Sequence, residues 1–111
     1  MEITWNDFEK VQMRVGTIIN VRPFPEAKKP AYQLSIDFGP EIGIRKSSAQ
    51  ITALYTPEQL MDRQVVAVVN FPKKQIGPFM SECLVLGVVG SEQGVVLLTP
   101  DKPVPDGLRI G

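Results

Sequence analysis

A mainly β fold, built as a small Greek-key barrel, is predicted by three features of the sequence. In "YQLSIDF" the apolar residues Tyr32, Leu34, Ile36 and Phe38 alternate with Gln33, Ser35 and Asp37, the period-two pattern of a half-buried antiparallel strand. Further short β-rich runs are separated by Gly, Pro and Asp turn residues. A capped helical segment falls between the third and fourth runs, an arrangement that suits a small barrel.

Each element follows in order. The chain opens with "TWNDFEKVQM", where Thr4 or Asn6 caps a short helix and Trp5, Phe8 and Val11 recur at helical spacing. "RVGTIINV" is the first strand, with Gly16 expected at a bend or bulge. "FPEAKKPA" is a loop by its prolines and charge. "YQLSIDF" is the second strand, "GPE" turns the chain, and "IGIRKSSA" returns as its hairpin partner. In "ITALYTPEQLMD", Thr56 is the cap, Pro57 the first helical residue, and Glu58 sits in the first turn. "QVVAVVNF", "CLVLGVV" and "GVVLLTP" are the later strands, and "DKPVPDGLRIG" ends without a helix. This order is that of the OB-fold, with a small open sandwich as the competing architecture. The runs from Cys83 to Leu98 are too apolar for a small barrel to cover, so they either fill the core or form a subunit contact. The second reading implies a two-fold dimer.

At 111 residues and 43% hydrophobic content the chain is expected to form one domain, residues 1–111. Its 12 basic and 12 acidic residues cancel, so any RNA affinity must come from local clustering. With no histidine, Ser–His and Cys–His nucleophile schemes are excluded and the commonest transition-metal ligand is missing. Neither a metal-ligand cluster nor a phosphate-cradling glycine loop is visible. A binding protein rather than an enzyme is therefore expected, with no cofactor. No run is long enough to span a membrane, no signal segment is visible, and the lone Cys83 has no internal partner. These features predict a cytoplasmic protein without membrane insertion.

The strings "FEKVQMRVGTI", "FPEAKKPAYQLSIDFG", "SSAQITALYTPEQLMDRQVVAVVNFPKKQIGPFMSE" and "LVLG", in that order, resemble the freestanding tRNA-binding-domain family over essentially the whole chain. "IDFGPEIGIRKSSAQIT" and "PDKPVPDG" are similar to its chaperone-like branch, linked to protein export. The resemblance implies an OB-fold homodimer built through the N-terminal helix and the C-terminal strands. It also implies tRNA binding on the barrel face and a chaperone-like binding of unfolded or export-related polypeptides. The alternative it leaves is a dedicated tRNA-binding accessory protein without a chaperone role. Where tight tRNA binders of the family show Ser-x-Gly-Met, this chain reads Ser81, Glu82, Cys83, Leu84.

The candidate site residues cluster in "RKSS" and "NFPKKQIGPFMSE". Lys73 and Lys74 follow a strand end and suit phosphate neutralisation, although surface lysines also serve solubility alone. Arg45 and Ser47 share one face of their strand, and Lys46 and Ser48 the other. Arg45 and Ser47 are the candidates for the RNA face, with edge protection by charge as the alternative. Lys28 and Lys29 lie in the proline-bounded loop, where a solvated surface is the better reading for each and an extension of the basic track the alternative. Asn70 and Ser81 suit hydrogen bonds to a base edge or ribose, and equally suit turn caps. Tyr32 and Tyr55 are stacking candidates, Tyr32 belonging more naturally to the core. Cys83 reads as a small buried hydrophobe. Phe79 and Met80, with Phe71, Phe24 and Pro78, are expected to form an exposed apolar patch for polypeptide, with packing of Phe79 and Met80 back over the barrel end as the alternative. Met suits such adaptable surfaces.

Overall fold

In the computed structural model, which describes residues 1–111, the chain runs through α1 (Trp5–Glu9), β1 (Met13–Pro23), β2 (Tyr32–Asp37), α2 (Gly39–Ile42), β3 (Ile44–Ala49) and α3 (Pro57–Leu60). It continues through β4 (Gln64–Val68), β5 (Lys74–Ile76), β6 (Phe79–Ser81), β7 (Leu84–Val85), β8 (Gly87–Val88) and β9 (Val96–Leu97). The main sheet has the order β3-β2-β1-β4-β7, with every neighbouring pair antiparallel. Two small hairpins, β5-β6 and β8-β9, complete the β structure.

The expected alternation of β2 holds: Leu34 and Ile36 are at most 1% exposed, while Gln33 and Ser35 face outward. In β4 the four residues Val65 to Val68 are all buried, which is why "VVAV" reads as a continuous apolar run. Both predicted caps close as capping boxes. Thr4 bonds the Asp7 N–H while the Asp7 carboxylate bonds the Thr4 N–H, and Thr56 and Gln59 do the same for α3. Ile18, Leu34, Ile36, Phe38, Leu60 and Val65 lie at the centre of the main core.

The sheet closes through its β3 edge. The Glu82 N–H donates to Lys46 O at 2.7 Å, and the Lys46 N–H donates to Glu82 Oε1 at 3.0 Å. The Ser48 N–H donates to Ser81 Oγ at 3.1 Å, and Ser47 Oγ donates to Cys83 O at 3.0 Å. Segment 81–83 thereby supplies the missing neighbour of β3 and turns the sheet into the predicted barrel. On the other side the C-terminal tail runs along the start of β1. The Gly107 N–H donates to Val15 O at 2.7 Å, the Val15 N–H to Leu108 O at 2.9 Å, and the Ile110 N–H to Met13 O at 2.9 Å.

Several elements differ from the sequence reading. Gly16 is neither bend nor bulge: it stands in regular register opposite Val65. A Cβ there would lie 2.6 Å from Ile36 Cγ2 and 2.7 Å from the Phe38 ring, so glycine is required by close approach. The bulge of β1 lies instead between Ile18 and Asn20. "GPE" is not a bare turn but opens the short α2. "CLVLGVV" and "GVVLLTP" yield only the short β7, β8 and β9. "KQIGPFMS", which lies between the runs "QVVAVVNF" and "CLVLGVV", forms a further hairpin, β5-β6, turning on Gly77 and Pro78 with Gly77 at φ +56°. Glycine in the first turn position followed by proline matches the sign pattern of a type II′ turn.

Of the Cys83–Leu98 region, Cys83 and Leu97 enter the core, while Val88, Val89, Val96 and Leu98 are at least 40% exposed. Helix α1 buries none of its residues, and Trp5 is 85% exposed. No helix is long and apolar enough to cross a membrane.

Candidate polymer-binding groove

A groove of about 930 Å³ opens between the β1–β2 loop and the β5-β6 hairpin, floored by the end of β3 and by β7. Its rim carries Lys28 and Lys29 from the loop and Lys74 from β5, opposed by Glu26. Its apolar lining includes Ile51, Phe71, Ile76, Val85, Val89 and Val95. Phe71 is 54% exposed and Val89 77% exposed, so this lining is open to a ligand. The loop is proline-bounded, and the hairpin is anchored from below, so two separate parts of the sequence present their lysines toward one trough.

The anchor is Phe79. It is only 9% exposed and forms a small satellite core with Phe24 and Ala31. The expectation that Phe79 and Phe24 belong to an exposed peptide-binding patch is therefore corrected. Strand alternation in β6 points Phe79 and Ser81 inward and leaves Met80 outward, 38% exposed. Met80 and Pro78 do not line the groove, whereas Phe71 does.

The hydroxyls and the amide are likewise committed within the chain. Ser47 is 1% exposed and makes the barrel-closing bond to Cys83 O. Ser81 accepts from the Ser48 N–H and donates to Cys83 O at 3.4 Å. The Gln12 N–H donates to Asn70 Oδ1 at 3.0 Å, and Asn70 Nδ2 donates to Lys10 O at 2.7 Å, which clasps the exit of α1 to the end of β4. Ser47, Ser81 and Asn70, the candidates for RNA contact, thus use these groups as fastenings of the barrel, and Ser81 also lines the groove. Arg45 stands opposite Ile36 on the inward phase of β3, so the outward pair is Lys46 and Ser48, not Arg45 and Ser47. Both tyrosines are engaged as well: Tyr32 Oη donates to Tyr55 O at 2.8 Å, and Tyr55 Oη accepts from the Leu97 N–H at 3.0 Å.

The two adjacent lysines have different settings. Lys74 lines the groove, opposite Ser81 across the hairpin. Lys73 meets Glu82, with Nζ 3.4 Å from Oε2. Partial burial pushes the Glu82 carboxyl upward, but the Lys46 N–H and the Lys73 ammonium outweigh that and hold it below the ordinary glutamate value. Lys46 Nζ lies 5.5 Å from the centroid of the Phe79 ring. Cys83 is buried, and burial pushes its thiol up to about 12, so it stays protonated near neutrality.

Sequence reasoning missed the groove-facing roles of Gln75, Ile76 and Val85, all of which line the trough. The available signal was the turn "IGPF", which marks a hairpin with strand alternation on both sides.

A Greek-key sheet closed in this way, with a groove between the β1–β2 loop and the insertion after β4, defines an OB-fold. A family model described as "Putative tRNA binding domain" matches residues 13–109, and the chain belongs to that family. It is similar to a CsaA chaperone structure from Bacillus anthracis, with a TM-score of 0.94 and 47% identity over 100% of both chains. A CsaA chaperone structure from Picrophilus torridus gives a TM-score of 0.93 and 53% identity over 99% of this chain and 100% of that one. Among curated proteins, the methionine–tRNA ligase of Pyrococcus abyssi is 36% identical over 110 residues. That match covers 99% of this chain but only 15% of the ligase.

Proposed function

We propose that this chain is a single-domain, CsaA-type chaperone-like protein. It binds unfolded or export-related polypeptides and tRNA, and works in the cytoplasm as a homodimer. The observation that carries the reading is the groove, whose lysine rim and apolar lining suit extended polymers with charged and apolar parts. Its likeness to CsaA chaperones over the full chain supports the polypeptide half, and the family supports the tRNA half. The role is binding rather than catalysis, which agrees with a Cys83 thiol held protonated in the barrel seam. Exposed apolar side chains on the N-terminal segment and the β8-β9 region, including Ile3, Trp5, Val88 and Leu98, support pairing with a second copy.

A dedicated tRNA-binding accessory is the second reading, favoured by the likeness to a segment of methionine–tRNA ligases. The apolar groove lining, which a purely phosphate-reading surface does not need, favours the first. The test is a competition: a labelled unfolded polypeptide is bound to the protein and titrated with tRNA. Displacement, with weaker binding of both ligands in Lys28→Ala/Lys74→Ala, supports a shared groove. Binding of tRNA with no measurable polypeptide binding establishes the accessory role instead.

A further inference from the structure

The segment that closes the barrel leaves the edge of β3 by stages. Alternate residues of an antiparallel strand turn their main-chain groups to opposite edges, and on the closing edge of β3 these belong to Lys46, Ser48 and then Gln50. Lys46 is bonded twice, its O accepting from the Glu82 N–H at 2.7 Å and its N–H donating to Glu82 Oε1 at 3.0 Å. The Ser48 N–H meets a side chain instead, donating to Ser81 Oγ at 3.1 Å. Gln50 stands exposed, and neither its N–H nor its C=O has a partner in the chain. By then the closing segment has turned to β4, with Leu84 opposite Val68 and Val85 opposite Ala67. The groove is the gap this divergence leaves, and Gln50 and Val85 both line it.

The unpaired edge selects one chemistry. Ile51, next along the chain and also lining the groove, is 4% exposed, yet its N–H and C=O have no partner in the chain either. Buried main-chain groups are bonded in the great majority of cases. A phosphate accepts from an N–H but offers nothing to a carbonyl, whereas a polypeptide main chain serves both, and an open strand edge is a template for it. Side chains on one face of such a strand would meet the apolar lining, which includes Val85 and Val95. A second copy of this chain is not the occupant indicated: Ile3, Trp5, Val88 and Leu98, which support pairing, do not line the groove.

We infer that the groove takes an extended polypeptide segment as an added β-strand, its main chain bonded to the N–H and C=O of Gln50 where β3 loses its neighbour. This rests on the polypeptide half of the proposed function and deepens it. Recognition through the main chain accepts many sequences, because every polypeptide carries the same amides and only alternate side chains meet the lining. RNA shares the lysine rim but not this edge.

The experiment measures binding of a labelled peptide alternating leucine and serine to the full chain. Two derivatives carry N-methyl groups, one on its central leucines and one on its central serines. In an extended strand those two sets of amides face opposite edges, so only one set faces β3. The two derivatives are expected to differ in affinity by about tenfold. In the protein, Gln50→Pro removes the N–H without breaking a bond of the chain, and Ala49 before it already has the extended backbone that proline favours. Gln50→Pro is expected to weaken the peptide by about tenfold, whereas Gln50→Ala, which keeps the main chain, matches the parent. Bulk tRNA binding is expected to be unchanged in both. The denaturant midpoint checks that Gln50→Pro is folded, and if it is not, the two derivatives decide the matter on the parent protein. Equal affinities of the two derivatives overturn the added strand and leave the polypeptide reading standing. A folded Gln50→Pro with parental affinity, or an equal loss in Gln50→Ala, overturns the assignment to this edge. A parent that binds neither the peptide nor an unfolded polypeptide overturns both readings.

Discussion

The rings of Phe24 and Phe79 meet with centroids 5.4 Å apart and planes inclined at 59°, joining the β1–β2 loop to the β5-β6 hairpin from beneath. The two walls of the groove are therefore held together by this satellite cluster, with Ala31, Ala27 and Ile76 around the ring pair, rather than by the main core. Tilted aromatic pairs contribute about 0.5–1.5 kcal/mol beyond their burial.

Phe79→Ala is expected to cost about 3 kcal/mol of stability, the low end for a buried phenylalanine, because the satellite cluster is small. Denaturant titration checks this. A loss below 1 kcal/mol would mean that the hairpin does not depend on this anchor. Met80→Ser, on an outward position, should leave the denaturant midpoint close to that of the parent.

Gly16→Ala tests the close approach between β1 and the core. The added methyl meets Ile36 and Phe38 well inside contact distance, so an overpacking loss of about 1–3 kcal/mol is expected. Thermal unfolding that matches the parent would show that the two side chains shift freely.

Glu82 gives a pH signature. Its carboxyl is held below the ordinary value of 4.5 in the folded chain, so its contribution is fully present above that value and is lost as pH falls through the folded pKa. The unfolded state binds the extra proton in this window, and stability there must rise with pH. Stability measured between pH 2.5 and 6 should therefore fall less steeply toward acid in Glu82→Gln than in the parent. Parallel curves would remove Glu82 from the balance.

Trp5 is the one tryptophan and stands 85% exposed in the single chain. In a homodimer that covers α1, its emission lies to the blue and moves red as dilution separates the subunits. An emission maximum independent of concentration, together with monomeric sedimentation, would count against that assembly.

Much of the fold was legible because its signals are local. Thr4 and Thr56 declare their helices through capping boxes a few residues long, and β2 declares its face by strict alternation. The site was less legible because its residues are assigned by contacts between distant segments. Ser47 and Ser81 look like ligand hydroxyls until the barrel closes, when both turn out to bond Cys83 O. Asn70 reads as a free amide until it is set beside Lys10 and Gln12, about sixty residues earlier. The phase of β3 could not be chosen from "RKSS" alone. It follows from the pairing of Ser47 with Leu34, which puts Ser47 inside and leaves Lys46 and Ser48 outside. A local cue for Phe79 did exist in "IGPF", but the buried partner Phe24 lies in a loop whose path the sequence does not reveal.

The tail that lies along β1 has a consequence for how the chain reaches its native state. Gly107, Leu108 and Ile110 supply backbone partners to Met13 and Val15, and Arg109 Nη2 donates to Glu9 O at 3.0 Å. One edge of the first strand thus waits for segments made more than ninety residues later. Closing such a long loop is entropically slow to reward, so the barrel should fold late and cooperatively. During synthesis, β1 would stand with that edge open until residues 107–110 arrive, a period in which the nascent protein is itself an unfolded polypeptide with an unpaired strand.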